Sequence, residues 1–111
     1  MAEQHDATLL VQLAQWGSSL GIEEAQQLIW SDDFDPETAD PRDPLVSRVL
    51  TYFETIGTLT KNGLLDRALV LDWVWVSGVW AKVAPAVHRT REELGVPQLY
   101  ENFELLASAE G

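Results

Sequence analysis

Residues 68–87 read Ala-Leu-Val-Leu-Asp-Trp-Val-Trp-Val-Ser-Gly-Val-Trp-Ala-Lys-Val-Ala-Pro-Ala-Val and hold three of the chain's five tryptophans. Leu69, Trp73, Val76, Trp80, Val83 and Val87 recur at steps of four and three, the spacing that lines one face of a helix. So much aromatic surface on one segment demands neighbours that hide it, and the spacing predicts a single central helix over this stretch. Leu71, Val74 and Trp75 fall off the main face, so the first half of the segment is apolar nearly all round and needs cover on several sides. Gly78, Lys82, Pro85 and Arg89 share the far side of the second half, which should emerge into water. Pro85 lacks a backbone N–H and its ring opposes the carbonyl of Ala81, which predicts a kink or a fresh helix start near Ala84 at a cost of about 3 kcal/mol.

A membrane span needs roughly 20 apolar residues. This segment has the length, yet Asp72, Ser77, Gly78, Lys82 and Pro85 lie inside it, and each charge at a helix centre costs roughly 2.5 to 3.5 kcal/mol on insertion. The segment therefore reads as the core of a water-soluble fold. A chain of 111 residues matches one domain able to hide roughly two-thirds of its unfolded surface. Its expected divisions are an acidic helical pair over residues 1–30, an Asp/Pro-rich loop over 31–44 and a three-helix core over 45–109. Cysteine is absent, which excludes disulfides and thiolate metal sites. The opening Met-Ala-Glu-Gln-His-Asp has no basic residue followed by an apolar run, so no secretory signal is expected and the expected address is cytoplasmic.

Charge is distributed unevenly. Residues 1–41 carry nine acidic groups and no Lys or Arg, a net −9, while residues 42–111 set the other nine acids against all seven bases, a net −2, making up the chain's −11. An acidic front third repels phosphate backbones, which disfavours a nucleic-acid partner. The same field keeps the chain soluble and would steer a basic protein into contact.

In chain order, Asp6 is expected to cap a first helix that buries Leu9, Leu10, Leu13, Ala14 and Trp16 and stops at the 17–21 segment Gly-Ser-Ser-Leu-Gly. A second helix from Ile22 to Trp30 places Glu23 and Glu24 in its first turn, where they complement the helix dipole. The pair suggests a helix-turn-helix, but it carries no base with which to approach DNA. Residues 31–44 hold three prolines and read as a loop with Phe34 tucked inward. Asp33, Asp35 and Glu37 alternate there, yet no glycine makes the sharp turn of a calcium loop and Pro36 separates the would-be ligands. Asp43 and Pro44 look like an N-cap and first helical position, opening a third helix to Lys61 with Leu45, Val49, Phe53, Ile56 and Leu59 or Thr60 inward. Lys61-Asn62-Gly63 closes it, and the next helix should fold back as an antiparallel hairpin. Gly95 and Pro97 mark a break before a last helix over 97–108, with Leu99, Tyr100, Phe103, Leu106 and Ala107 as its stripe.

Taken together, the run 49–57 (Val-Leu-Thr-Tyr-Phe-Glu-Thr-Ile-Gly), the Lys-Asn-Gly-Leu-Leu of 61–65, Trp80 with Val83 and Pro85, Arg89 to Arg91, and the 97–106 run Pro-Gln-Leu-Tyr-Glu-Asn-Phe-Glu-Leu-Leu resemble the uncharacterised bacterial helical family domain of unknown function 4760. The second helix, ending in Ile29-Trp30, is similar to that family's front end. The resemblance implies an all-α fold and implies no activity.

Glu54 and Glu104 each flank an aromatic anchor, Phe53 and Phe103, and are expected to form structural ion pairs with Arg89 or Arg91, because charges beside a core persist when paired. A rival arrangement, an acid-base or metal cluster of Glu54, His88 and Glu104, lacks the inward Glu-x-x-His repeat of carboxylate-metal bundles. His88 should instead pair with Glu92 one turn on, and His5 lies too near the terminus to carry a role. No nucleophile elbow, phosphate loop or dinucleotide fingerprint occurs, so no catalytic residue, metal or cofactor is expected. The sequence therefore predicts a single all-α bundle of about five helices, a non-catalytic protein-interaction or scaffold module contacting a protein partner or a second copy. The residues expected to make contact are Leu71, Trp75, Asp32, Asp33 and Asp35. The alternative is an acidic inhibitor that docks a basic partner through residues 1–41.

Overall fold

Six helices follow one another through residues 3–108, the part of the chain described by this computed structural model: α1 (Gln4–Leu20), α2 (Ile22–Trp30), α3 (Pro44–Lys61), α4 (Arg67–Trp73), α5 (Val76–Leu94) and α6 (Glu101–Ser108). The fold is all-α, and among the described residues no helix is long and apolar enough to cross a membrane. Residues 1, 2 and 109–111, the ends of the expected domain, lie outside the described residues.

The helix at the centre is α3. Asp43 accepts the N–H groups of Leu45 at 3.0 Å and Val46 at 3.4 Å, and Pro44 follows at the first helical position, so the start is fixed by an acceptor for two otherwise unpaired donors. Val46, Val49, Leu50, Tyr52, Phe53, Ile56, Gly57 and Thr60 are buried. These positions cover more than one face, and α3 accordingly packs against α2, α5 and α6. Its most extensive neighbour is α6, not the helix that follows it in sequence. A Cβ on Gly57 would stand 2.3 Å from the Asn102 carbonyl oxygen, so glycine is what lets the two backbones come so close. Beside that approach the Phe53 and Phe103 rings stack at 5.2 Å and 19°, both fully buried. Each ring contributes about 1.5 to 3 kcal/mol by leaving water.

The tryptophan-rich segment is two helices, which corrects the single rod. Val74 is extended (φ −133, ψ 148) and Trp75 (φ −86, ψ 79) lies between them. The N–H of Val76 donates to the Val74 carbonyl at 3.1 Å, an i to i+2 bond of inverse γ-turn type. The turn lets the two halves bury different faces. In α4 the buried residue is Val70, whereas α5 buries Val76, Val79, Val83 and Val87; Leu69, Trp73 and Trp80 are only half-covered. Downstream, α5 continues through Pro85 to a left-handed Gly95 (φ 67), so the interruption falls ten residues before the proline rather than at it.

At the front, α1 runs through Gly17 and ends at Gly21 (φ 73). Gly17 serves packing: the Tyr52 hydroxyl would be 2.8 Å from a Cβ placed there and donates to the Leu13 carbonyl at 2.5 Å. Burial pushes that phenol up to about 12. Leu13 is buried as expected, but Ala14 is exposed. Asp6 is not the N-cap; it sits one turn inside the helix, 4% exposed, and accepts the N–H of Glu3 at 2.7 Å and of Asp66 at 2.9 Å. The Glu3 N–H, opposed by burial and assisted by the Asp66 N–H, holds its carboxyl below the ordinary value. One carboxylate thus serves the starts of α1 and α4.

The last helix begins at Glu101, four residues later than Pro97, because residues 97–100 form turns and Tyr100 takes a left-handed conformation (φ 57). Its missing cap comes from another helix. Glu54 on α3 accepts the Phe103 N–H at 2.9 Å.

Candidate functional site

Most aromatic rings are drawn into the interior, but Trp75 is 65% exposed and Trp30 43%. Their rings stack at 5.4 Å and 6°, an arrangement contributing about 0.5 to 1.5 kcal/mol beyond area burial. Two local features build the pair. Trp30 is the last residue of α2, and Trp75 is the turn residue between α4 and α5, so both indoles project from helix ends. Gly78 then makes room, since a Cβ there would lie 2.4 Å from the Trp75 ring. The indole therefore lies against the first turn of α5 only because that turn carries no side chain at 78. Lys82 places its ammonium 5.7 Å from the Trp30 ring centre, within reach of a cation–π attraction of about 0.5 to 1 kcal/mol at an exposed site.

Of the residues expected to form a contact surface, Trp75 is open while Leu71 is half-buried and packs against the core. Leu71 is therefore withdrawn from that surface, packed from within α4 against the core. Asp32, Asp33 and Asp35 are exposed on the loop that leaves Trp30, with Phe34 between them packed against the core. This loop is fastened from the far side. Arg89 on α5 donates to the carbonyls of Ala39 at 2.8 Å and Pro36 at 3.4 Å, so it holds loop backbone and not a glutamate. Within the loop Asp40 accepts the backbone N–H of Arg42 at 2.9 Å and its Nε at 3.3 Å, which together hold that carboxyl below the usual range.

Apart from the pair, a cleft of about 500 Å³ is lined by Gly17 of α1, Glu23 and Gln27 of α2, Tyr52 and Phe53 of α3, and Trp73 and Val74. Its α2 residues belong to the first part of that helix, whereas Trp30 ends it. Its polar rim is acidic, from Glu23 and Glu24.

The expected ion pairs are partly redistributed. Arg91 pairs with Glu104 at 2.8 Å, donates its Nε–H to the Leu99 carbonyl at 2.8 Å and lies 5.9 Å from the Trp80 ring centre, fastening α6 to α5. Glu54 caps α6 instead of pairing with an arginine, since the unpaired N–H of Phe103 lies nearer to α3. Tyr100 sits close enough to Glu54 that burial first, and that negative charge second, raise its phenol. His88 is exposed with its ring edge-on to Trp80 at 6.2 Å. Among the described residues no group of three or more His, Cys, Asp or Glu side chains is placed to hold a metal ion. Glu54, His88 and Glu104 are thus spent on a helix cap, a ring contact and a salt bridge.

Trp30, Gly78 and Lys82 were not expected at a contact surface from the sequence. The available signal was Gly78 three residues after Trp75, a spacing that places a small residue beneath a large one on a helix. The position of Trp30 opposite Trp75 depends on tertiary packing and left no mark in the sequence.

Comparison with known proteins gives one family. The family model described as a domain of unknown function (DUF4760) matches residues 1–109, so the chain belongs to that family. No curated protein and no solved structure matches it.

Proposed function

We propose that this member of the DUF4760 family is a non-catalytic, cytoplasmic protein-interaction module whose contact surface is the Trp30–Trp75 pair, engaging a protein partner or a second copy of itself. The observation that supports this reading is the exposure of two stacked indoles, 65% for Trp75 and 43% for Trp30. Large rings left in water are costly to keep, and grouped exposed apolar surface marks sites of association. Tryptophan is also among the side chains that dominate binding energy at interfaces. The reading assigns the chain no cofactor, nucleic acid or membrane.

A second reading, an acidic inhibitor acting through residues 1–41, draws support from the loop that Arg89 fastens, on which Asp32, Asp33 and Asp35 stand exposed. The two differ in salt response, because charge-led contacts weaken as the Debye length shortens from ~10 Å at 0.1 M to ~3 Å at 1 M. The experiment is affinity capture from the native cell with wild type and Trp75→Asp at both ionic strengths, alongside mass measurement at several concentrations. The indole reading expects Trp75→Asp to lose the captured protein or the self-association at either salt. Capture and mass identical for the two folded proteins would remove it. Loss by salt alone, with the variant unaffected, would transfer the function to the acidic front.

A further inference from the structure

We infer that the stacked indoles receive an arginine side chain from a basic segment of the partner protein, with the carboxylates that follow Trp30 completing its recognition. The inference rests on the interaction-module reading and names the partner's chemistry. The indole faces are electron-rich, and a planar guanidinium lies flat on such a face while still offering its N–H groups sideways. One cation of the chain already lies within range of the pair, the Lys82 ammonium standing 5.7 Å from the Trp30 ring centre. Trp75 is the more open ring at 65% exposure, and Gly78 keeps it stacked on Trp30. Acceptors for the guanidinium edge follow Trp30 directly in the chain, where Asp32 and Asp33 stand exposed.

Charge selects among occupants. Residues 1–41, which include Trp30, carry nine acidic groups and no Lys or Arg within a chain of net −11. A second copy seated on this face would bring like charges together, and nucleic acid or an anionic bilayer would be repelled. A basic protein segment meets no such opposition. A lysine would also meet the ring faces, but only the planar guanidinium of arginine lies flat on an indole while its edge still reaches carboxylates.

Three synthetic peptides of equal length test this, each with four glycine-spaced copies of one residue: arginine, lysine or citrulline. Binding to the full chain is followed by tryptophan fluorescence and by the indole N–H resonances. The arginine peptide is expected to saturate and to shift Trp30 and Trp75 selectively, with the lysine peptide about fivefold weaker and the citrulline peptide silent. Trp75→Ala, checked for an unchanged melt, should weaken the arginine peptide about tenfold, and Asp32→Asn with Asp33→Asn should flatten its salt dependence. Equal binding of the arginine and lysine peptides, undiminished by Trp75→Ala, would overturn the inference in favour of charge alone. Absence of saturation would overturn it too, and so would self-association that Trp75→Asp abolishes while the peptides stay silent. If Trp75→Asp still abolishes capture of a partner when no peptide binds, the interaction reading stands and only the arginine assignment falls; if capture is also unaffected, both fall.

Discussion

The molecule contains two aromatic stacks of nearly equal geometry and opposite surroundings. Phe53 and Phe103 meet at 5.2 Å and 19° where α3 and α6 close on each other, and Trp80 adds an edge contact to Phe103 at 5.0 Å. Trp30 and Trp75 meet at 5.4 Å and 6° at the rim. Ring geometry alone thus says nothing about the role of a ring. The difference lies beneath the rings, where each stack adjoins a helical glycine. A Cβ on Gly57 would strike main-chain atoms of α6, while one on Gly78 would strike the Trp75 side chain. Main chain held between two helices cannot retreat, but an exposed indole can swing into water.

That contrast is open to attack at three positions. Phe103→Ala should be the most damaging, at about 3 to 5 kcal/mol for an aromatic deletion from a closed core; a urea midpoint near wild type would mean that α6 is not the wall of the interior. Gly57→Ala should cost about 1 to 3 kcal/mol by overpacking, and thermal unfolding at unchanged stability would show that the α3–α6 approach is looser than described. Gly78→Ala should alter stability by no more than about 0.5 kcal/mol, because the helix gains roughly 0.5 to 1 kcal/mol from losing a glycine while the displaced ring gives up its stack. Its signature is spectroscopic. The exciton band of two coupled indoles in near- and far-ultraviolet circular dichroism should vanish, and its persistence would mean that Trp75 does not need the vacant position.

Local chemistry made part of this legible in advance. The bounds of α2 and α3 can be written from the chain, since Asp43-Pro44 supplies an acceptor and a preset φ at one end and Lys61-Asn62-Gly63 tolerates the left-handed exit at the other. The turn at Val74 and Trp75 could not be read this way. Neither residue is a conventional breaker, and the four-three spacing passes straight through them. The clue was the apolar character on every side of the first half, which admits two short helices burying different faces as readily as one long helix. Pro85 misled in the opposite sense, as α5 accommodates it without interruption. Of the candidate site, Trp75 was legible because it lay off the seam, and the acidic loop because of its composition. Trp30 was not, because its neighbour across the stack is 45 positions away and only the packing of α2 beside the 74–75 turn brings them together.

The Asp6 carboxylate takes one hydrogen bond from its own helix start and another from a backbone N–H sixty positions along the chain. Closing so long a loop is slow compared with forming a local helix turn. A nascent chain leaving the ribosome can therefore wind α1 early, yet its clasp to α4 must wait until residue 66 has emerged, after the whole of α3 has been synthesised. The α1–α4 clasp is consequently among the later contacts to form, whereas α2 can dock on α3 before it.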